Sequence, residues 1–244
     1  MYNYKLWLEY DGRKYKGWQK QKYTDNTVQE QIESSIETLL KVKVKLHAAG
    51  RTDTGVSAYE QIANFNLPLK LDLQRFRYSM NALLPDSITL KKVLNVNPDF
   101  HSRFSAKKRE YIYYITFKKK SIGRDYFYKM NGKVDLMKVE QFITFIKRQT
   151  FFRSFCKNKE DKNNFTCFIF DFRYRYIKSR DELEFKITAN RFLHSMVRAI
   201  IGCALEIGTG KIILKNILKK IERGEKISVH YLPSTALFLN KIYY

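Results

Sequence analysis

Apolar and polar side chains alternate over residues 2–10, so that one face of this segment is apolar. This period of two is typical of a half-buried β-strand, and we predict a strand there. Residues 28–40 instead carry apolar side chains at helical spacing, and the preceding Thr27-x-x-Glu30 is a capping box that marks a helix start. The same two periods predict strands over residues 42–46, 61–66 and 88–96, and a helix that Asp72 caps and Pro85 ends.

The second half of the chain repeats this rhythm loosely, and no linker rich in Pro, Gly or Ser separates the halves. The order strand, helix, strand, strand, helix, strand in the first half matches the split βαβ unit of α+β proteins. We therefore predict an α+β fold of two similar halves, residues 1–105 and 106–244, merged around a central cleft. Each half is expected to be a mainly antiparallel sheet with helices on one face. In the second half, strands are predicted over residues 110–117, 168–177, 182–189 and 236–243, and helices over residues 135–147 and 192–208.

The chain carries 46 Lys and Arg against 24 Asp and Glu, which gives a formal net charge of +22. A surplus of this size points to a polyanionic partner, most often a nucleic acid. Aromatic side chains alternate with arginines at residues 173–176, which suits contact with bases and phosphates. Two other interpretations stay open. An AT-rich genome favours Lys, Asn, Ile, Tyr and Phe whatever the protein does, and residues 173–176 can form one solvated face of a strand.

The three cysteines are odd in number and lack Cys-x-x-Cys spacing, which favours reduced, mostly buried thiols in a cytosolic protein. The four histidines are scattered, and no His/Cys cluster has zinc-ligand spacing, so no metal site is expected. The N-terminus has no signal-peptide pattern, and no apolar run reaches membrane-spanning length. We therefore predict a soluble cytoplasmic protein without membrane contact.

Residues 50–55 read Gly-Arg-Thr-Asp-Thr-Gly and combine an arginine, a carboxylate and two glycines. The sequence lacks a phosphate-cradling glycine-rich loop with lysine, a Gly-x-Ser-x-Gly and a His-Glu-x-x-His pattern. An aspartate in a glycine-bounded loop can act as a nucleophile, a base or a metal ligand. The neighbouring Arg51 would favour the ionised form of Asp53. From the residues alone, Asp53 can also serve only to satisfy backbone N–H groups of its own turn.

Residues 49–56, Ala-Gly-Arg-Thr-Asp-Thr-Gly-Val, resemble the active-site motif of the TruA family of tRNA pseudouridine synthases. The resemblance extends over most of the chain, and its blocks occur in the family's order. The chain departs from the family at Ser57, where histidine is usual, and after Thr166, where an arginine is missing. Residues 222–235 also look trimmed. The other matching blocks are residues 9–12 with 17–21, residues 99–106, Arg109-Glu110-Tyr111-x-Tyr113, and residues 192–202.

This resemblance implies an enzyme that isomerises uridine to pseudouridine at positions 38 to 40 in the anticodon stem-loop of tRNA. It implies a homodimer that binds tRNA in the central cleft and needs no metal or cofactor. Extrusion of the target base from its stem requires unstacking, and recognition of a folded RNA through its phosphates suits the surplus of Lys and Arg. A related synthase acting on another RNA is one alternative. The departures at Ser57 and Thr166 favour another, a catalytically altered RNA-binding protein or tRNA chaperone of the same fold.

The resemblance also implies a role for individual residues. Asp53 takes the place of the catalytic aspartate, which attacks either the base or the anomeric carbon of the ribose. Arg51 takes the space that the flipped nucleotide leaves. Tyr111 stacks on the target base and is a candidate for proton removal. Arg198 pairs with Asp53 and holds it ionised, whereas Arg103 is either an RNA contact or structural.

Three of these positions have other interpretations. Tyr111 lies in an aromatic strand, so it can be a core residue, and Tyr113 or Tyr114 becomes the relevant ring if the register differs. Arg198 lies on an otherwise apolar helix, where an arginine is costly unless it has a partner, which favours pairing with a carboxylate. His194 is interpreted as a structural or RNA-facing residue rather than a catalyst.

Overall fold

The computed structural model describes residues 1–157, 164–225, 227–228 and 230–244. In these ranges the strands and helices mix along the chain as expected for an α+β fold, which confirms the predicted class. In chain order they are β1 (Tyr2–Tyr10), α1 (Val28–Leu40), β2 (His47–Ala48), β3 (Ser57–Leu67), α2 (Leu73–Leu83), β4 (Ile88–Val96), β5 (Lys108–Thr116), β6 (Tyr128–Lys129), α3 (Leu136–Lys147), β7 (Ile169–Ile177), β8 (Glu182–Ala189), α4 (Met196–Gly208), α5 (Leu214–Glu222) and β9 (Leu237–Tyr243).

The chain divides into two compact units. The first comprises Met1–Arg109 together with Phe238–Tyr244, and the second comprises Glu110–Leu237. The sequence prediction placed the division near residue 105 and assigned the last strand to the second half. In the structure Phe238–Tyr244 belongs to the first unit, and β9 pairs in parallel with the start of β3.

The first unit is built on a mostly antiparallel set of strands in the order β4-β1-β3-β9. β1 pairs antiparallel with both β3 and β4, and β2 pairs antiparallel with β3. The alternating side chains of β1 predicted to be apolar do form the core, since Leu6 and Leu8 are fully buried. The helix α2 packs against both α1 and β4. This unit carries residues 49–56, which connect β2 to β3.

Both predicted helix starts in the first unit are confirmed. The Thr27 side chain accepts a hydrogen bond from the backbone N–H of Glu30, so α1 begins where the capping box predicted. The Asp72 carboxylate accepts from two backbone N–H groups of the first turn of α2. These caps satisfy N–H donors that have no partner inside the helix.

The strand predicted over residues 42–46 is wrong, because only His47 and Ala48 pair with β3. The backbone groups of Leu46 are used by α1 instead of a neighbouring strand. Its N–H donates to the Glu33 carboxylate at 2.8 Å, and its carbonyl accepts from the Gln29 side-chain amide at 3.4 Å. The alternation of apolar residues therefore indicated a segment that forms no strand and whose Leu46 backbone bonds to side chains of α1.

In the second unit β8 lies between β5 and β7, with β7 and β8 antiparallel, while β6 pairs in parallel with β5. The helix α3 packs against β7, α4 and α5. Strands predicted over residues 168–177 and 182–189 are confirmed to within a residue. The helix α5 was not predicted. It buries only Ile217 and Ile221 and begins after Ile213, which gives no side-chain cap, so its sequence signal is short and uncapped.

All three cysteines are buried and none forms a disulfide, as predicted. Burial raises the pKa of the Cys203 thiol to about 12. Among the helices of the described ranges, none combines the length and the apolar character needed to cross a membrane.

Candidate active site

The motif loop (residues 49–56) is a closed turn between β2 and β3. At its start the Ala49 N–H donates to the Ile62 carbonyl at 2.8 Å, which extends the pairing of β2 with β3. At its end the Val56 N–H donates to the Asp53 carbonyl at 3.1 Å, and Gly55 has a φ of 82°, in the region that favours glycine. The hydrogen bond that closes the turn therefore uses the backbone carbonyl of Asp53 and not its side chain.

Thr52 anchors the motif loop in the core of the first unit. It is only 7% exposed, its carbonyl accepts from the Trp18 N–H at 3.1 Å, and its hydroxyl lies 2.8 Å from the Tyr10 hydroxyl. Burial raises the pKa of Tyr10 to about 12. Arg51, which precedes Thr52, is exposed, and Asp53, which follows it, is half-buried. The anchor thus presents an arginine and a carboxylate at the surface of the unit.

The turn after β1 packs directly on the backbone of the motif loop. A Cβ atom on Gly12 would lie 1.9 Å from the Val56 carbonyl oxygen, and a Cβ on Gly17 would lie 2.9 Å from the Thr52 carbonyl oxygen. The Gly12 N–H also donates to the Ser57 hydroxyl at 3.0 Å. These contacts bring two blocks of the family resemblance, residues 9–12 with 17–21 and residues 49–56, together in the folded unit. Ser57, one of the departures from that pattern, has a defined role in holding the turn.

Arg109 joins the motif loop to the turn formed by residues 103–106. Its guanidinium donates to the carbonyl oxygens of Ala49 at 2.9 Å, Arg103 at 2.7 Å and Ala106 at 2.8 Å. Arg109 belongs to one of the sequence blocks that resemble the family, but the resemblance implies no role for it. Three carbonyl acceptors on two separate segments cannot be identified from spacing, because they come together only in the folded unit.

We expect Arg109→Lys to lower the free energy of unfolding by about 1–3 kcal/mol, because an ammonium cannot replace a planar fork that reaches three carbonyls. Amide hydrogen exchange in residues 49–56 should accelerate at the same time. Chemical denaturation and hydrogen exchange measure the two effects. The control is Arg75→Lys on the exposed face of α2, which should change stability by less than about 0.5 kcal/mol. Equal stabilities for the two variants would contradict the proposed tether.

Tyr111 lies on β5 in the second unit and is 8% exposed. Its ring meets the Phe192 ring edge-on, with centroids 5.2 Å apart. Tyr113 points to the same side of the strand but is fully buried, and its hydroxyl donates to the Pro233 carbonyl at 3.0 Å. Burial raises the pKa of Tyr113. Tyr111 is therefore the more accessible of the two rings, and the Tyr113 hydroxyl is part of the fold.

Arg198 lies in the first turn of α4, and its guanidinium is oriented from two sides. It donates to the Leu232 carbonyl at 3.1 Å and to the Ser195 hydroxyl at 2.8 Å. Ser195 adopts a φ of 59°, and its hydroxyl makes no capping bond to the helix. A Cβ on Gly202 would lie 2.1 Å from the His230 carbonyl oxygen, so this glycine admits the backbone that orients Arg198.

The remaining candidate residues from the sequence, Arg103 and His194, have defined positions in the structure. Arg103 is exposed, while its backbone carbonyl is held by Arg109. The His194 carbonyl accepts from the Lys157 N–H at 3.1 Å, which is a structural contact. Arg51, Asp53 and Arg103 belong to the first unit, whereas Tyr111 and Arg198 belong to the second. In the described ranges, no three His, Cys, Asp or Glu side chains converge in a way that could hold a metal ion.

The first unit therefore offers a fixed, partly exposed carboxylate beside an exposed arginine, on a chain with a net charge of +22. These features define an enzyme-like site suited to chemistry on a polyanion. The sequence model of the family described as tRNA pseudouridine synthase matches residues 7–105 and 149–244. The chain belongs to this family, as the motif-loop resemblance predicted.

Curated relatives match over the full chain. The tRNA pseudouridine synthase A of Thermodesulfovibrio yellowstonii is 33% identical over 256 residues, covering 100% of both chains. That of Bacteroides thetaiotaomicron is 35% identical and covers 100% of this chain and 91% of its own. That of Acetivibrio thermocellus is 36% identical and covers 100% of both. A solved structure, the archaeal box H/ACA sRNP Nop10-Cbf5 complex, has a TM-score of 0.33 at 13% identity, covering 74% of this chain and 40% of that chain.

Proposed function

We propose that this protein isomerises uridine to pseudouridine in the anticodon stem-loop of tRNA, at positions 38 to 40, with Asp53 as the catalytic carboxylate. The observation that carries the proposal is the motif loop, which presents Asp53 at the surface while Thr52 anchors the backbone beneath it. Family membership supports tRNA uridine as the substrate. The resemblance to the TruA branch supports the anticodon arm.

The reaction rearranges one nucleoside without net oxidation or reduction. The bond from the ribose anomeric carbon to N1 of uracil breaks, the base turns, and a bond from the same carbon to C5 forms. N1 gains a proton and C5 loses one, so substrate and product are isomers. Asp53 attacks either the base or the anomeric carbon and is released at the end, which makes its carboxylate a nucleophilic catalyst.

Arg198 is proposed to pair with Asp53 and keep it ionised, since a nearby cation favours the charged form of a carboxylate. Two observations support this role. The guanidinium is already oriented by the Leu232 carbonyl and the Ser195 hydroxyl. It also projects from a helix whose neighbouring residues are almost all buried and apolar, where an arginine is retained at a cost.

Arg51 and Tyr111 are proposed to handle the flipped nucleotide. Extrusion of a base leaves a gap in the stack. The exposed, planar guanidinium of Arg51 can fill that gap against the neighbouring bases. The Tyr111 ring, held edge-on by Phe192, is proposed to stack on the extruded uracil.

The protein is further proposed to act as a homodimer in the cytoplasm and to bind tRNA mainly through Lys and Arg contacts to phosphates. The net charge of +22 supports strong, salt-dependent binding to RNA. The resemblance to the family supports the dimer.

Pseudouridine mapping in total tRNA from cells with and without this protein tests the function directly. Loss of pseudouridine confined to positions 38 to 40 is the expected result. An unchanged pseudouridine map would overturn the proposal. Loss of pseudouridine at another position would assign the protein a different target uridine. The alternative, a tRNA-binding chaperone without activity, predicts RNA binding and no change in the map. Ser57, whose departure from the family pattern favoured that alternative, accepts a hydrogen bond from the Gly12 N–H in this chain and so supports the turn after β1.

Tyr111→Phe is expected to lower the rate of pseudouridine formation by about 10²-fold or more, with RNA binding unchanged. The substitution keeps the ring and its Phe192 contact but removes the hydroxyl that we assign to proton removal. Single-turnover kinetics measure the rate. Tyr114→Phe, on the other face of β5, is the control and should be close to wild type. A strong effect at Tyr114 with none at Tyr111 would transfer the role to Tyr114.

A further inference from the structure

Three rings form a contiguous row beside the motif loop. The His47 ring, on β2 just before the loop, lies 4.8 Å from the His101 ring between centroids. The His101 ring lies 4.4 Å from that of Phe104. Phe104 is 76% exposed, so the row ends in an open aromatic face.

Arg103 adds a planar cation to this row, since its guanidinium carbon lies 5.6 Å from the centroid of the Phe104 ring. An aromatic face beside a guanidinium plane is a typical surface for stacking unpaired nucleobases. Tyr78 and Tyr23 are also exposed, but no ring contact is found for them among the described residues. Tyr59 and Tyr176 are exposed as well, and they contact the rings of Phe238 and Phe117. Scattered apolar residues at a surface need no explanation, whereas this cluster does.

The row is held by its own backbone contacts. The His101 N–H donates to the Ser105 hydroxyl at 3.1 Å, and the Ser105 N–H donates to the His101 carbonyl at 2.9 Å. The Arg103 N–H donates to Nδ1 of His101 at 3.1 Å, which orients the imidazole. The neighbouring rings are tilted by 46° and 37° to one another, and a surface held in place before binding loses little conformational entropy on binding.

The chemistry of the row favours stacking over charge. Burial and the neighbouring His47 lower the pKa of His101, which disfavours the charged form of its ring. The positive charge comes from Arg103 at the exposed end of the row. An exposed aromatic ring beside a guanidinium suits a base attached to a phosphate backbone.

We propose that His47, His101, Phe104 and Arg103 form a stacking site for an unpaired nucleobase of the RNA substrate, separate from the uridine that Asp53 modifies. The proposal deepens the proposed function and rests on it. Arg109 connects the 103–106 turn to Ala49, so the stacked base is held at a fixed offset from the motif loop. This offset selects which nucleotide of the stem-loop reaches Asp53.

The test is equilibrium binding of an anticodon stem-loop hairpin RNA to the full chain in the Asp53→Asn background, where no product forms. Phe104→Ala is expected to weaken binding by about 5- to 150-fold, the range for loss of one base–aromatic stack. Phe104→Leu should lose nearly as much, because leucine keeps apolar bulk but has no flat face. Phe104→Trp should bind at least as well as the parent. Since Phe104 is mostly exposed, all three variants should keep the parent Tm.

A matched control and two further measurements distinguish stacking from charge. Tyr78→Ala removes an exposed aromatic of α2 and should not change binding. Phe104→Ala should leave the slope of affinity against salt unchanged, because no phosphate contact is lost. A 2-aminopurine in the hairpin loop should be quenched by the parent protein and less so by Phe104→Leu.

The outcomes separate this inference from the proposed function. Wild-type protein is assayed in parallel for pseudouridine formation on the same hairpin. If it forms product while Phe104→Ala, Phe104→Leu and Tyr78→Ala all bind like the parent, the stacking site is overturned and the function stands. If Phe104→Leu alone binds like the parent, apolar bulk rather than stacking accounts for the contact, and the inference fails. Absence of both binding and product in wild type overturns the function and the stacking site together.

Discussion

Asp53→Asn is expected to lower the rate of pseudouridine formation by about 10⁴-fold or more, the scale on which loss of a catalytic nucleophile acts. An amide has nearly the same shape as the carboxylate but is a far weaker nucleophile. The turn should be preserved, because the hydrogen bond that closes it uses the Asp53 backbone carbonyl and the Val56 N–H. We therefore expect RNA affinity to stay within a few-fold of wild type.

Two controls define this result. Asp86→Asn removes a carboxylate from an exposed turn of the same unit and should leave the rate unchanged. A melting curve of Asp53→Asn should match wild type, which separates loss of chemistry from loss of fold. Normal pseudouridine levels with Asp53→Asn would reject Asp53 as the nucleophile. A tRNA chaperone would instead lose nothing in RNA binding and would show no product from any variant.

Gly12→Ala is expected to lower the free energy of unfolding by about 3 kcal/mol, at the upper end of what overpacking costs. The added Cβ would lie 1.9 Å from the Val56 carbonyl oxygen and 2.9 Å from the Ser57 nitrogen, so backbone has to move. The segment that has to move is the end of the motif loop. We therefore expect the rate of pseudouridine formation to fall as well, even at temperatures where the variant is folded.

The matched control lies in the motif loop itself. A Cβ on Gly50 meets no atom within 4 Å, so Gly50→Ala should leave stability unchanged or raise it by up to about 1 kcal/mol through the unfolded chain. Chemical denaturation of the two variants measures the contrast. Equal stabilities would show that the turn after β1 does not support the motif loop as the contacts indicate.

The segment that looked trimmed in the sequence still contains the contacts that orient Arg198. The Leu232 carbonyl accepts from Arg198, and the neighbouring Pro233 carbonyl accepts from Tyr113. Gly202 allows the backbone at His230 to approach α4 closely. Shortening this segment therefore leaves the support of Arg198 in place, so the departure does not weaken the proposed role of that residue.

Local patterns predicted most of the secondary structure. The bounds of β1, α1, β4 and β8 agree with those expected from periodicity and caps, because these signals involve neighbours within one or two turns of chain. The helix predicted over residues 192–208 begins only at Met196. The larger failures were residues 42–46 and α5. In residues 42–46 the backbone of Leu46 bonds to side chains of α1, and α5 buries only two apolar residues and has no side-chain cap. The conformation of both segments therefore depends on tertiary contacts.

For the site, the sequence motifs identified the family and the candidate catalytic and RNA-binding residues. These are Asp53, Arg51, Tyr111, Arg198 and Arg103. Such a motif is readable because its residues are contiguous and chemically distinctive. The residues that hold the motif loop in place could not be predicted in this way. Arg109, Gly12 and Thr52 act through backbone carbonyl and hydroxyl groups that come together only when β1, β2 and β3 have paired. Every residue carries the same backbone groups, so no sequence pattern distinguishes the carbonyls that Arg109 binds or the one that Gly12 must avoid, and folding alone selects them.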